Sequence, residues 1–169
     1  MRALFLENLK AIPVAQRIYL DESGINEYLY RKYARGARGT KVFGEISGKR
    51  FARQSVVSAL LGGKFLAPMC FEGTCDTQLF NTWVRQELVP CLTPGQVLIL
   101  DNASFHKSQE TQRIVQEAGC KILFLPPYSP DLNPIEKFWA NMKRKVRELL
   151  SSIPIFTSAL DAAVVSMQN

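Results

Sequence analysis

Three acidic residues carry the chemistry that this sequence best supports. Asp21 and Asp101 each follow a short apolar run, and Glu136 stands at the start of a long amphipathic segment. Carboxylate oxygens are the ligands that hard divalent cations prefer. Two such cations about 4 Å apart stabilise the attacking and leaving oxygens of an in-line phosphoryl displacement. The three acids therefore predict a two-metal phosphoryl-transfer site, in which water or a 3′-hydroxyl is the nucleophile.

The two aspartates stand where predicted strands end. Sites in open α/β sheets collect at the carboxyl ends of strands. An acid after a buried run must find solvent, a hydrogen bond or a cation, because an unpaired buried charge is costly. Asp101 has the alternative role of starting a turn with Asn102. Glu22 adjoins Asp21, but successive strand residues point to opposite faces, so we assign the metal-facing position to Asp21.

Glu136 also has a purely structural alternative. Asn133, Pro134 and Glu136 fit a capping box, in which Glu136 folds back onto the backbone at the start of its helix. Neither Trp139 nor Ala140, at helical spacing from Glu136, offers it a cationic partner. Glu136 is therefore free to bind a metal ion.

The elements that position these acids follow from apolar periodicity and turn residues. The predicted order is three strands and then alternating helix and strand, which is a mixed α/β domain. The predicted strands are 17–21 (with 22–26 as a turn), 51–61 and 64–71 as a hairpin, 97–100 and 121–125, and 28–43 is a further extended region. The predicted helices follow an N-cap at Asp76, span 108–118, and span 133–150.

Composition narrows the class of protein. The 169 residues suit one domain, and a net charge of +6 indicates either an anionic partner such as nucleic acid or a mildly basic surface. No stretch approaches the roughly 20 apolar residues that span a bilayer, and the N-terminus does not resemble a secretory signal. We therefore expect a cytosolic protein with reduced cysteines. Four irregularly spaced cysteines and one histidine argue against a zinc site.

Three segments resemble the DDE transposases of the mariner superfamily, especially the bacterial insertion-sequence branch. In the third segment the final acid is Glu, as in that branch, and 34 residues separate Asp101 from Glu136, a spacing typical of the superfamily. The matching segments are Tyr19-Leu-Asp-Glu-Ser-Gly24, Leu100-Asp-Asn-Ala-Ser-Phe-His-Lys107 and Leu125-Pro-Pro-Tyr-Ser-Pro-Asp-Leu-Asn-Pro-Ile-Glu-Lys-Phe-Trp139.

The resemblance implies a ribonuclease H-like (retroviral-integrase-like) mixed sheet flanked by helices. It implies a catalytic domain over 17–150, preceded by a lead-in over 1–16 and followed by a C-terminal helix or tail over 151–169. It also implies an enzyme that cleaves DNA at transposon ends and transfers the strand. Asp21, Asp101 and Glu136 would hold two Mg²⁺ ions, for which Mn²⁺ could substitute, and the chain would act as a homodimer on DNA, in the cytoplasm at the nucleoid.

Basic residues mark candidate contacts to the DNA backbone, for which a solvated surface is the alternative. Such contacts predict an affinity for DNA that falls steeply with salt. His106 could instead form a structural hydrogen bond or assist proton transfer. Asp131 is either a turn residue or a residue that contacts the metal ligands without binding the metal itself. The candidate DNA-binding residues are Arg31, Lys32, Arg35, Arg38, Lys41, His106, Lys107, Lys143 and Arg147.

Two other functions stay open at this stage. Members of the family usually carry helix-turn-helix modules before the catalytic domain, and the 16 or so residues before the first strand are too few for one. A truncated DNA-binding remnant without activity is therefore one alternative. A ribonuclease H-like nuclease without strand transfer is the other.

Overall fold

Five strands form one mixed sheet in the computed structural model, which describes residues 2–27, 36–41, 43 and 53–168. The strand order is β3-β2-β1-β4-β5; β2 is antiparallel to β1 and β3, whereas β4 is parallel to β1 and β5. This confirms the predicted mixed α/β sheet. The strands are β1 (Arg17–Asn26), β2 (Arg53–Leu61), β3 (Lys64–Glu72), β4 (Val97–Leu100) and β5 (Lys121–Phe124).

Helices cover both faces of the sheet. On one face, α2 and α3 pack against Leu20 of β1 and Leu98 of β4. On the other face, α4 and α5 pack against β2 and β3, and α1 packs against β4 through Phe5. The helices are α1 (Arg2–Ala11), α2 (Thr77–Trp83), α3 (Gln109–Glu117), α4 (Ile135–Leu149) and α5 (Phe156–Ser166).

The first strand is longer than its sequence predicts. β1 does not end at Asp21 but continues through the expected turn to Asn26, paired with β2 along its whole second half. Only the parallel pairing with β4 stops near the expected point, at Tyr19 opposite Ile99. The prediction was wrong because Ser23 and Ile25 are buried in the β1–β2 ladder, and this tertiary packing overrides the turn preference of Ser-Gly.

Two of three predicted helix starts are confirmed. Asp76 accepts a hydrogen bond from the Leu79 N–H at 2.8 Å, and Ser108 accepts one from the Thr111 N–H at 2.9 Å. The capping box, the structural alternative for Glu136, is not formed at the start of α4: the Asn133 Oδ1 that would accept from the helix backbone has no hydrogen-bond partner, while its Nδ2 donates to the Leu20 carbonyl at 3.2 Å. None of the helices in the described part of the chain is long and apolar enough to cross a membrane.

Candidate active site

Parallel pairing of β1 and β4 brings Asp21 and Asp101 to the same place. The two strands pair from Arg17 with Val97 to Tyr19 with Ile99. The same offset, carried two residues further, sets Asp21 level with Asp101. Neighbouring strands lie about 4.8 Å apart, so the two acids stand side by side where β4 ends.

One cavity of about 440 Å³ joins these aspartates to Glu136. Glu136 is exposed in the first turn of α4, which crosses over β1. No three His, Cys, Asp or Glu side chains within the described ranges are already close enough to hold a metal ion. The three carboxylates thus share a cavity without yet converging. The remaining lining residues are Asn102, Leu125, Pro126, Pro127, Tyr128, Ser129, Pro130 and Asn133.

Asp21 is a half-buried carboxylate in a negatively charged neighbourhood. The Trp139 indole Nε1–H donates to its Oδ2 at 3.0 Å. Burial, together with the charges of Glu22 and Glu136, raises the pKa of Asp21 to about 7, although hydrogen bonds from the Glu22 backbone and from Trp139 oppose the rise. A cation near Asp21 would relieve this repulsion.

Asp101 has the opposite environment. Its Oδ1 accepts a hydrogen bond from the Ala103 N–H at 2.9 Å and lies 2.7 Å from His106 Nδ1. The other ring nitrogen of His106, Nε2, lies 2.8 Å from Glu22 Oε1. The hydrogen bond from His106 lowers the pKa of Asp101. Asp101 therefore has a charge partner within the protein.

His106 is fully buried between these acids. Burial alone would lower the pKa of His106, but its hydrogen bonds to Asp101 and Glu22 outweigh burial and raise the pKa to about 9. Both ring nitrogens therefore carry protons at neutral pH and donate. The expectation that His106 contacts DNA needs correction, because an imidazole with no exposed surface has nothing to offer a phosphate.

One cation, Lys143, lies near the acids of the cavity, and a second, Arg53, lies near Lys143. Lys143 is half-buried on α4, two turns after Glu136, where burial lowers its pKa and the charges of Glu136 and Asp21 oppose that effect. Arg53 lies close enough to Lys143 to lower its pKa further. The Arg53 guanidinium lies directly over Gly24, where a Cβ would collide with it. The contacted atoms are the far end of a flexible side chain, so Arg53 could move aside for a Cβ at this position.

The segment after β5 forms the apolar wall of the cavity. Asn102 donates a hydrogen bond to the Leu125 carbonyl, and α1 is joined to the segment by an ion pair between Arg2 and Asp131. Tyr128 is fully exposed on this wall, with a positive φ of 54° that non-glycine residues rarely adopt. Asn133 closes the wall, and its buried Oδ1 has no hydrogen-bond partner.

The predicted DNA-binding residues separate into three groups. Arg38, Lys41 and Lys107 are exposed, and Lys107 lies 5.7 Å from the centre of the Phe124 ring. Lys143 and Arg147 are half-buried on α4. The expected positions at Arg31, Lys32 and Arg35 fall outside the described residues, as does most of the predicted extended segment 28–43.

The sequence analysis does not predict three contacts near the acids. Glu22 contacts His106, Trp139 donates to Asp21, and the Asn133 amide donates to the Leu20 carbonyl. Glu22 points away from Asp21, as strand alternation predicts, but on its own face of β1 it reaches His106. Trp139 reads as a core residue, and it is 2% exposed, yet its N–H reaches Asp21. A buried indole N–H needs an acceptor, and that requirement was the available signal.

Comparison with known families decides the class of the protein. Residues 16–154 match the model of the DDE superfamily endonuclease family. The chain belongs to the DDE superfamily of endonucleases. The match includes β1 to β5 and α4, and therefore all three acids of the cavity.

Curated relatives of this DDE chain include a transposase. It is 26% identical over 155 residues to the transposable element Tcb2 transposase of Caenorhabditis briggsae, over 82% of this chain and 54% of the relative. It is 43% identical over 71 residues to the uncharacterised protein y4pE/y4sA of Sinorhizobium fredii, over 41% of this chain and 50% of the relative. The chain thus spans about half the length of these relatives.

Solved structures share the fold of this DDE chain. The Mos1 strand transfer complex superposes with a TM-score of 0.66 at 14% identity, over 99% of this chain and 59% of that one. The catalytic core of BIV integrase superposes with a TM-score of 0.55 at 12% identity, over 90% of this chain and 82% of that one. The fold is therefore the ribonuclease H-like fold of transposase and integrase cores. Mos1 paired-end complexes with Mn and with Mg are also similar.

Proposed function

We propose that this chain is the catalytic domain of a DNA transposase, which cleaves a DNA strand at the ends of a mobile element and joins the freed 3′-hydroxyl to target DNA. The observation that carries the proposal is the single cavity that Asp21, Asp101 and Glu136 line in a DDE-family chain. The likeness to the Tcb2 transposase and to the Mos1 complexes supports transfer in addition to cleavage.

The residues of the cavity fit divalent metal ions. Every acidic donor is an oxygen, as hard cations require, and the buried Asn133 Oδ1 on the wall has no partner. Asp21 lies in a field of like charge that a cation would neutralise. We therefore propose that Asp21, Asp101 and Glu136 hold two Mg²⁺ ions, which Mn²⁺ can replace. When bound, such ions stabilise the attacking and leaving oxygens of the displacement.

The residues around the acids orient them and the substrate. Trp139 fixes one oxygen of Asp21, and the two donors on Oδ1 of Asp101 fix that carboxylate. Lys143 lies near Asp21 and Glu136, and Arg53 lies near Lys143, so the two cations can bind phosphates next to the reacting one. Positioning of this kind supplies a large part of the rate in phosphoryl transfer.

DNA is the partner that this arrangement fits. The net charge of +6 and the exposed Arg38, Lys41 and Lys107 favour a polyanion, for which affinity should fall as salt rises. The similar Mos1 structures are complexes with transposon ends or strand transfer products. We propose that the chain works as a homodimer on DNA, in the cytoplasm at the nucleoid, since two element ends must be processed together.

The experiment uses the full chain and DNA taken from either side of its own gene, where the ends of the element would lie. Labelled duplexes from both flanks are incubated with the chain, a supercoiled plasmid and Mg²⁺ or Mn²⁺. We expect metal-dependent nicks near one position of each flank, and labelled strands joined to the plasmid.

Matched variants identify the acids. Asp21→Asn, Asp101→Asn and Glu136→Gln should each lower both products by about 10³-fold or more, as loss of an essential group does. Glu148→Gln, an exposed Glu on the same helix as Glu136, should leave them unchanged. Normal cleavage by Asp101→Asn would refute the proposal. Nicks without joined products would support a nuclease that lacks strand transfer.

A further inference from the structure

We propose that Glu22 is a positioning residue of the active site, which acts on Asp101 through His106 and determines which Asp101 oxygen is left for a metal ion. The inference rests on the proposed function, because it concerns a carboxylate of the proposed metal site. Glu22 itself is directed away from the cavity that Asp21 lines, on the opposite face of β1.

A short chain of hydrogen bonds connects the two acids. Glu22 Oε1 lies 2.8 Å from His106 Nε2, and His106 Nδ1 lies 2.7 Å from Asp101 Oδ1. Ionised carboxylates only accept hydrogen bonds. Both contacts are hydrogen bonds when the imidazole carries a proton on each nitrogen, and the single positive charge of His106 then lies between the two acids.

The ring of His106 has no freedom to leave this arrangement. It is fully buried, with its centre 4.4 Å from that of Phe80 and 4.3 Å from that of Phe105. Glu22 is held by the β1–β2 ladder, opposite Val57. Glu22 therefore fixes the far side of a ring whose near side binds Asp101.

This arrangement uses only one oxygen of Asp101. Oδ1 receives both the Ala103 N–H and the His106 contact, whereas no donor among the described residues reaches Oδ2. The Asp101 side chain is 53% exposed and lines the cavity, and Oδ2 is its oxygen without a hydrogen bond in the described structure. A metal ion would bind Asp101 through Oδ2, in an orientation that Glu22 and His106 hold.

Mn²⁺ affinity of the full chain, measured from free Mn²⁺ by electron paramagnetic resonance, tests the inference without reference to activity. Loss of groups that hydrogen-bond to ligands costs about 10–100-fold in metal affinity. We expect Glu22→Gln and His106→Gln each to weaken Mn²⁺ binding by about tenfold or more. The double variant should bind no more weakly than the weaker single variant, because both substitutions break one path.

Two further variants separate position from charge and stability. Glu22→Asp keeps the charge but is too short to reach His106, so it should weaken Mn²⁺ binding as much as Glu22→Gln does. Glu117→Gln breaks an exposed ion pair with Arg113 on α3 and should bind Mn²⁺ normally. Circular dichroism of each metal-free variant verifies that it is folded at the temperature of the titration.

Each result decides between the claims. Wild-type affinity in Glu22→Gln or Glu22→Asp, or additive losses in the double variant, would overturn the role of Glu22. Asp101→Asn should lose Mn²⁺ binding if the proposed site is correct. If Asp101→Asn instead kept wild-type affinity, the proposed metal site would fail, and the role of Glu22 would fail with it. Loss in Asp101→Asn with no loss in the Glu22 variants would overturn the role of Glu22 alone.

Discussion

The two faces of β1 present neighbouring acids in opposite electrostatic environments. On one face, Glu22 shares the buried His106 with Asp101, so both carboxylates are in contact with one cation of the protein. On the other, Asp21 lies near Glu136 and receives a hydrogen bond from Trp139. Lys143 is near enough to influence Asp21 and Glu136, but it forms no ion pair with them in the described structure.

This difference separates what the fold stabilises by itself from what it leaves for a ligand. A carboxylate that has its counter-cation in the protein is a fixed point of the site. A half-buried carboxylate in a field of like charge costs stability until a cation arrives. In the proposed metal site, Asp101 is thus held in place by hydrogen bonds within the protein, whereas metal binding would reduce the electrostatic repulsion at Asp21.

The largest expected effect comes from removal of the shared cation. His106→Ala leaves Glu22 and Asp101 without their partner and opens a cavity beside Phe80, so it should lower the free energy of unfolding by about 4 kcal/mol. Urea denaturation of the metal-free chain measures it. A loss of stability smaller than that caused by Trp139→Phe would contradict the claim that His106 stabilises its face of β1 more than Trp139 stabilises the Asp21 face.

Substitution of the two aspartates should change stability in opposite directions. Asp101→Asn weakens the bond from His106 and should destabilise the metal-free chain by about 2 kcal/mol, the range of hydrogen bonds to charged groups. Asp21→Asn removes a repelled charge and should stabilise it by about 1 kcal/mol. Thermal unfolding in EDTA should show a shift of about 2–4 °C per kcal/mol. Equal shifts of the same sign would contradict the assigned roles.

Trp139→Phe tests the weaker hydrogen bond on the Asp21 face. Phenylalanine retains ring packing against Phe65, whose centre lies 4.9 Å from that of Trp139, but it removes the N–H that Asp21 accepts. We expect a loss of about 1–2 kcal/mol in urea denaturation. Phe138→Leu, on the same helix and against the same Phe65, serves as the control for packing alone. If Phe138→Leu lowered the free energy of unfolding by the same amount, the loss in Trp139→Phe would come from packing and not from the hydrogen bond to Asp21.

The smallest change in stability should come from breaking a solvent-exposed ion pair that is as short as the contact between Glu22 and His106. Glu117 Oε1 and Arg113 Nη1 are 2.8 Å apart on the exposed side of α3, as close as Glu22 and His106. Solvent screens exposed pairs, so Glu117→Gln should leave the melting temperature unchanged within error. A shift as large as that of Asp101→Asn would show that distance, and not burial, determines the strength of these pairs.

Much of the fold was predictable because its signals are local. Four consecutive aliphatic residues identify β4, and β5 and the β2–β3 hairpin follow from similar runs bounded by glycine and proline turns. The resemblance added the ribonuclease H-like arrangement that the comparisons confirm. The end of β1 and the cap of α4 were not predictable in this way, since burial of Ile25 and the bond from Asn133 to Leu20 depend on tertiary packing.

The site itself was predictable in part. Sequence spacing identifies three acids, and the cavity includes all three, although their role as metal ligands stays a proposal. The partners of those acids were hidden, because Glu22 and His106 are 84 positions apart and Asp21 and Trp139 are 118 apart. No local pattern connects residues at such separations. Only the crossing of α4 over β1 and the pairing of β1 with β4 bring them together.

Anomalous diffraction from a crystal of the chain soaked in Mn²⁺ tests the central claim most directly. We predict one or two Mn²⁺ peaks in the cavity, about 2.0–2.3 Å from oxygens of Asp21 and from Oδ2 of Asp101, with Glu136 drawn in to complete the site and the bond from His106 to Asp101 intact. A cavity without a peak at saturating Mn²⁺, or Mn²⁺ bound only at residues outside it, would contradict the account.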